Sequence, residues 1–139
     1  MPRQIIAALA LFMTVVMTPA AHADAAAKPA ITQTIQSQID AFLADDFDQA
    51  FSFASPNIQG IFGSAGNFGR MVQQGYPMVH RPSDVRFLDL RDENGLLVQK
   101  VQVRDANGQT HLLEYQMIQG ENGWKINGVQ LLKGQGLSA

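Results

Sequence analysis

Up to Pro82 the apolar residues recur with helical spacing; beyond it they alternate as in strands. Ile31, Ile35, Ile39, Phe42 and Leu43 fall at i, i+4, i+8, i+11 and i+12, with Gln, Ser and Asp opposite. That spacing predicts a helix with one apolar face, ending at Asp45-Asp46. Asp46, with Gln49 three residues on, reads as a capping box opening a second helix. This helix turns Phe47, Ala50, Phe51 and Ala54 inward and ends at Ser55-Pro56. Ile58, Ile61 and Phe62 suggest a further short turn. Residues 63–66 form a break, and Asn67 then caps a third short helix carrying Phe68, Met71 and Val72, closed by Gly75. Residues 76–82 have prolines near both ends and allow at most a short edge strand.

Four strands are expected after that: Val85 to Arg91, Leu97 to Arg104, Thr110 to Gln119 and Trp124 to Leu132. Asn94-Gly95, Asn107-Gly108 and Asn122-Gly123 separate them, and Asn-Gly is the strongest short hairpin signal. The result is an antiparallel meander. A fourth Asn-Gly, at 127–128, lies inside the last strand. Trp124, Ile126, Val129 and Leu131 are spaced 2, 3, 2, so strict alternation would split them between two faces. One extra residue at Asn127-Gly128 restores a common face, which predicts a β-bulge with Gly128 at positive φ.

The first residues stand apart from this pattern. A short basic start with Arg3, an uncharged run from Ile5 to Met17 and the A-x-A sequence Ala21-His22-Ala23 have the anatomy of a secretory signal peptide, 1–23. The run is shorter than the ~20 residues needed to span a bilayer, so no membrane span is expected after cleavage. Residues 24–30, DAAAKPA, read as linker, and 31–139 as one α+β domain in a periplasmic or secreted protein. Cleavage removes one of ten basic side chains and none of twelve acidic ones, making the net charge slightly more negative than −2. The charges are scattered, which argues against nucleic acid or an anionic membrane surface as partner. With no Cys there are no disulfides, thiol nucleophiles or thiolate metal sites.

The stretches IQSQIDAFLADDFDQAFSFASP, YPMVHRPSDVRFLDL and GWKINGVQLL resemble an uncharacterised bacterial family, domain of unknown function 4864, with an NTF2-like (cystatin-like) fold. The resemblance implies N-terminal helices packed on a curved sheet that wraps as a cone around a pocket. It brings no catalytic residues, and a fold of this kind hosts isomerases, dehydratases, binders and interaction modules alike.

Strand alternation places Leu97, Gln99, Val101 and Val103 on the concave face, with His111, Leu113, Tyr115 and Met117 beside them. On the first strand Val85, Phe87 and Asp89 compete with Leu88 and Leu90. Gln99, Tyr115 and Trp124 are the expected ligand contacts, in a cup with Phe51, Phe68, Val101, Leu113, Met117 and Ile126. Asp89 with His111 or Tyr115 is the alternative, an isomerase- or hydratase-like proton-transfer set. Against it, His111 follows a turn, Asp89 has arginine neighbours, and a buried Tyr is most often core.

No metal is expected, since the mature chain has only His80 and His111 and lacks metal-ligand spacing. No cofactor is expected either: GIFGSAGNFG (60–69) follows no strand and lacks the Lys-Ser/Thr of a phosphate loop, so it reads as a flap or plain loop. The outer sheet face, with Leu88, Leu90, Val98, Leu112 and Ile118 among charged residues, suggests a homodimer. The preferred reading is an exported, non-catalytic domain that binds a small apolar ligand or a protein partner. A structural homo-oligomer with a filled core is the third.

Overall fold

The computed structural model describes residues 20–132. Five helices precede four strands: α1 (Ala20–Leu43), α2 (Phe47–Ser52), α3 (Pro56–Phe62), α4 (Ala65–Gly75), α5 (Pro77–His80), β1 (Asp84–Glu93), β2 (Leu96–Arg104), β3 (Thr110–Gly120) and β4 (Gly123–Leu131). The strands pair antiparallel in the order β1-β2-β3-β4, an open meander. The protein is thus α+β, with a helical layer packed on one face of the sheet and the core between them.

Ile31, Ile35, Ile39 and Phe42 of α1 are all buried, as their spacing requires. Leu43, assigned to the same face, is 46% exposed. It is the last residue of α1, and the chain turns away through Asp45 at a φ of 53°. The helix also starts earlier than the apolar stripe. Asp24 to Ala30, expected as linker, is part of α1, since alanine is the strongest helix former and Pro29 is accommodated within the helix. Ala20 to Ala23 are its first residues, and the rest of the expected signal segment, 1–19, lies outside the described residues. Lys28 contributes a tertiary bond, donating from Nζ to Leu88 O on β1 at 2.7 Å.

The short helices are set by their caps. Asp46 accepts from Gln49 N and opens α2. α2 ends at Ser52, and Ser55, expected to end it, is instead the N-cap of α3, with Pro56 in the first turn. Residues 63–66 are a tight junction between helices. Gly63 closes α3 in the left-handed region at a φ of 78°, and Ser64 rather than Asn67 caps α4. Asn67 instead donates its amide to Phe62 O, locking the same corner. The glycine-rich stretch is therefore two helix ends and their cap, not a loose flap. Residues 77–80 are the one-turn helix α5 and not an edge strand, because Pro77 is pre-set for a first helical turn.

Of the three Asn-Gly hairpins, only the first has Asn-Gly as its two-residue turn: Asn94 and Gly95 both have positive φ, and Glu93 pairs with Leu96. At the second, Asp105 organises a longer turn, its Oδ1 accepting from Asn107 N and Gln109 N. At the third, Gly120 pairs with Gly123, so Glu121 and Asn122 form the turn and Gly123 carries the positive φ.

The bulge in β4 is present. Gln116 pairs with Gly128 and Met117 with Ile126, which leaves Asn127 as the extra residue. Trp124, Ile126, Val129 and Leu131 all pack against the core in consequence. Gly128, however, is not at positive φ. Ile126, beside the extra residue, bonds sideways: its N donates to Phe53 O, and Ser55 N donates to Ile126 O, in a parallel bridge to the α2–α3 connection.

A second bulge lies in β1. Phe87 pairs with Val101 and Leu90 with Gln99, so β1 has one residue more than β2 across this interval. Val85, Phe87 and Leu90 pack on the core, a 2, 3 spacing that repeats the signature of β4. The competition between Asp89 and Leu90 is thereby settled for Leu90, and Asp89 is exposed.

Candidate functional site

Between the helices and the β3–β4 side of the sheet lies a cavity of about 230 Å³. Its floor is Tyr115 of β3 with Ile126, Gly128 and Val129 of β4. The helical layer closes it with Gln38 and Phe42 of α1, Phe68 and Val72 of α4, and Val79 of α5. Its more exposed side is formed by Ile58 and Phe62 of α3, Met71 of α4 and Tyr76, all half-buried, so the opening lies between α3, α4 and the edge strand β4. Ile61, 65% exposed, belongs to α3 beside this opening.

Local sequence builds the walls. Phe68 is an aromatic hub, its ring centroid 5.8 Å from Phe42, 5.3 Å from Phe51 and 5.7 Å from Phe62. Gly69, next along α4, lies under the ring of Phe47, where a Cβ would come within 2.6 Å of Cδ1. This close approach holds α4 against α2, and the β4 bulge turns Ile126 and Val129 to one face below the cavity.

Among the described residues no charged side chain lines the cavity, and three of the lining residues are polar. Gln38 donates Nε2 to Ala50 O at 3.1 Å, and Tyr76 donates its hydroxyl to Val129 O at 3.3 Å. The third is Tyr115, which is fully buried, and its hydroxyl has no hydrogen-bond partner among the described residues. Burial, and secondarily Tyr76, push its ionisation upward, so the phenol stays protonated and remains a donor.

Of the expected ligand contacts, Tyr115 lines the cavity and Gln99 and Trp124 do not. Gln99 is fully buried, but its Nε2 is taken, donating to Leu88 O of the β1 bulge at 3.0 Å and to Lys100 O of β2 at 2.8 Å. Its Oε1 has no partner among the described residues. Trp124 packs against the core near the β3–β4 turn. Of the expected cup, Phe68 and Ile126 line the cavity, whereas Phe51, Val101, Leu113 and Met117 belong to the packed core around it. Gln38, Phe42, Val72, Tyr76 and Val79 were not foreseen. Their spacing marked several as apolar or helical, but only the docking of α1, α4 and α5 brings them together.

Asp89, His111 and Tyr115 are not assembled into one site. Asp89 is exposed at the β1 bulge, and Tyr115 is buried on the opposite face of the sheet. His111 pairs through Nε2 with Asp105 Oδ2 at 2.8 Å in the β2–β3 turn, well along β3 from Tyr115. The His111 ring and two backbone amides hold the Asp105 carboxyl below its ordinary range. A similar pair lies nearby, His80 Nε2 with Asp45 Oδ1 at 2.9 Å, where Arg81 also donates to both Asp45 oxygens at 2.8 Å. Both histidines border one shallow groove with Arg81 and Asn107. Among the described residues no group of three or more His, Asp or Glu can hold a metal ion.

The outer sheet face is less apolar than its sequence suggests. Leu90 points inward, and Val98 is only 2% exposed. Arg91 reaches across β2 to pair with Glu114, while donating to Glu93 at 2.7 Å. Leu88, Leu112 and Ile118 are half-buried. No described helix is long and apolar enough to cross a membrane.

Comparison with known proteins agrees with this architecture and supplies no activity. No curated protein matches the sequence. The solution structure of a SEC-C motif containing protein from Rhodopseudomonas palustris is similar in fold, with a TM-score of 0.53 at 14% identity, over 79% of this chain and 91% of that one. Residues 24–139 match the family described as domain of unknown function DUF4864, and the chain belongs to that family.

Proposed function

We propose that this chain is an exported, non-catalytic binding domain with an NTF2-like arrangement, and that its ligand occupies the cavity between helices and sheet. The observation that carries this reading is the cavity itself: a mostly apolar lining that includes Tyr115, whose buried hydroxyl has no partner among the described residues, the usual form of a small-molecule site. Two bulges, one in β1 and one in β4, support the bent sheet that an NTF2-like cone requires. Export is supported by the signal-like start and by a family match that begins at residue 24, directly after the A-x-A sequence. The proton-transfer alternative lacks support, because Asp89, His111 and Tyr115 face three different surroundings. A homodimer through the sheet face also has less behind it, since Leu90 turns into the core and Val98 is covered, at 2% exposure.

Native mass spectrometry of the protein purified from its own periplasm tests the reading. The expected result is a chain starting at Asp24 that carries a small molecule lost on denaturation. A chain retaining Met1 would overturn export. Binding would fail if the protein carried no ligand and no small apolar probe shifted the resonances of cavity residues.

A further inference from the structure

A buried hydroxyl without a partner loses its hydrogen bonds to water and gains nothing in return. Tyr115 is in that position, and it stands on the wall of a cavity large enough for an occupant. Of the other two polar side chains on the described wall, Gln38 donates Nε2 to Ala50 O and Tyr76 donates its hydroxyl to Val129 O. We propose that the occupant is a compact, uncharged molecule with an apolar body and one carbonyl-type acceptor, which receives the hydrogen bond from the Tyr115 hydroxyl. This inference rests on the binding reading above and names the ligand's chemical class.

Each part follows from a different observation. The charge follows from the lining, to which no Lys, Arg, His, Asp or Glu contributes among the described residues. An ionised ligand would leave water without a counter-charge, which is far costlier than burying a neutral carbonyl. The acceptor follows from the protonated phenol, which has one O–H to donate. The apolar body follows from Phe42, Phe68, Val72, Val79 and Ile126 around it. The size follows from the volume: about 230 Å³ exceeds the ~150 Å³ engineered cavity that admits benzene and falls below the ~300 Å³ at which drug-sized sites begin. A substituted aromatic ketone or aldehyde, or a short-chain ketone or ester, meets all four conditions.

Three probes of nearly equal shape separate these conditions: acetophenone, its hydrocarbon isostere α-methylstyrene, and benzoate. Each is titrated into the wild-type protein and into Tyr115→Phe, and binding is followed by NMR shifts of Met71, Val72 and Ile126 methyl groups. Acetophenone should bind wild type about three- to tenfold more tightly than α-methylstyrene, the gain from one net hydrogen bond. Benzoate should bind weakest. Tyr115→Phe should bring the first two to equal affinity, with α-methylstyrene binding unchanged as proof of an intact cavity. Equal affinities in wild type would overturn the acceptor assignment and leave binding standing, because ordered water then satisfies Tyr115. Tightest binding of benzoate would overturn the neutral-ligand assignment. If none of the three shifted the cavity methyls, the binding reading would fall with the inference.

Discussion

The Ser55 hydroxyl donates to Asn127 Oδ1 at 2.8 Å and accepts from Ile58 N at 3.2 Å. One buried oxygen thus caps α3 and fastens it to the extra residue of the β4 bulge. The bulge is where the helical layer is attached to the sheet, and the same attachment sets the floor of the cavity.

Ser55→Ala should therefore destabilise by about 1–2 kcal/mol, since it removes a helix cap and a buried hydrogen bond together. Asn127→Ala removes only the second and should cost less. Chemical unfolding of both variants checks the order. A larger effect for Asn127→Ala would show that the bulge residue has a role beyond this bond.

Two glycine-to-alanine changes should act with opposite sign. Gly60 lies inside α3 with nothing within 4 Å of an added Cβ, so Gly60→Ala should stabilise by up to ~1 kcal/mol. Gly69→Ala gains the same helix propensity but places a Cβ 2.6 Å from the Phe47 ring, and overpacking of this kind typically costs about 1–3 kcal/mol. Thermal melts should show the first raised and the second lowered. Equal shifts would mean that Phe47 moves aside freely.

Gly128→Ala should be nearly neutral. The position has no positive φ to strain, and an added Cβ would meet Gln116 Oε1 at 3.3 Å, the far end of a flexible side chain. Gly128→Val, a position where a left-handed residue would have made valine costly, should likewise be mild. Unfolding midpoints decide it, and a loss near that of Ser55→Ala would contradict the extended backbone found here.

Asp45 and Asp105 should shape the acid limb of stability. His80 then Arg81 lower the ionisation of Asp45; His111 then the Gln109 amide lower that of Asp105. A carboxylate held below its unfolded value stabilises the fold at pH above that value, here 3.8, and the contribution is lost as pH falls through the lower folded value. Melting temperature should therefore drop below about pH 4. Asp105→Asn should flatten that drop, while retaining an Oδ1 for the Asn107 and Gln109 amides. An unchanged acid profile in both Asp45→Asn and Asp105→Asn would place the acid sensitivity elsewhere.

Tyr115→Phe should leave the ligand-free protein as stable as wild type, or more stable by up to ~1 kcal/mol, because it deletes a hydroxyl with no partner among the described residues. Most buried tyrosines lose stability on this change. A clear loss in denaturant titration would mean that the hydroxyl has a partner in solution.

Periodicity in the sequence was enough for the α+β class, the buried face of α1, the four strands and the β4 bulge, since these depend on local spacing of apolar residues. The 2, 3 spacing at Val85, Phe87 and Leu90 was equally present, but Leu88 and Asp89 filled the gap and concealed the β1 bulge. Local caps were harder to assign: Ser55, Ser64 and Asn67 all suit a helix start, and only the closed junctions selected among them. Tertiary structure alone decided the site. Whether Gln99 faces a ligand depends on which carbonyls the bulge leaves for it, and whether Tyr115 lines a void depends on how far α1, α4 and α5 stand from the sheet. Both are set by the packing of elements distant in sequence, and residues separated in this way leave no shared periodicity to read.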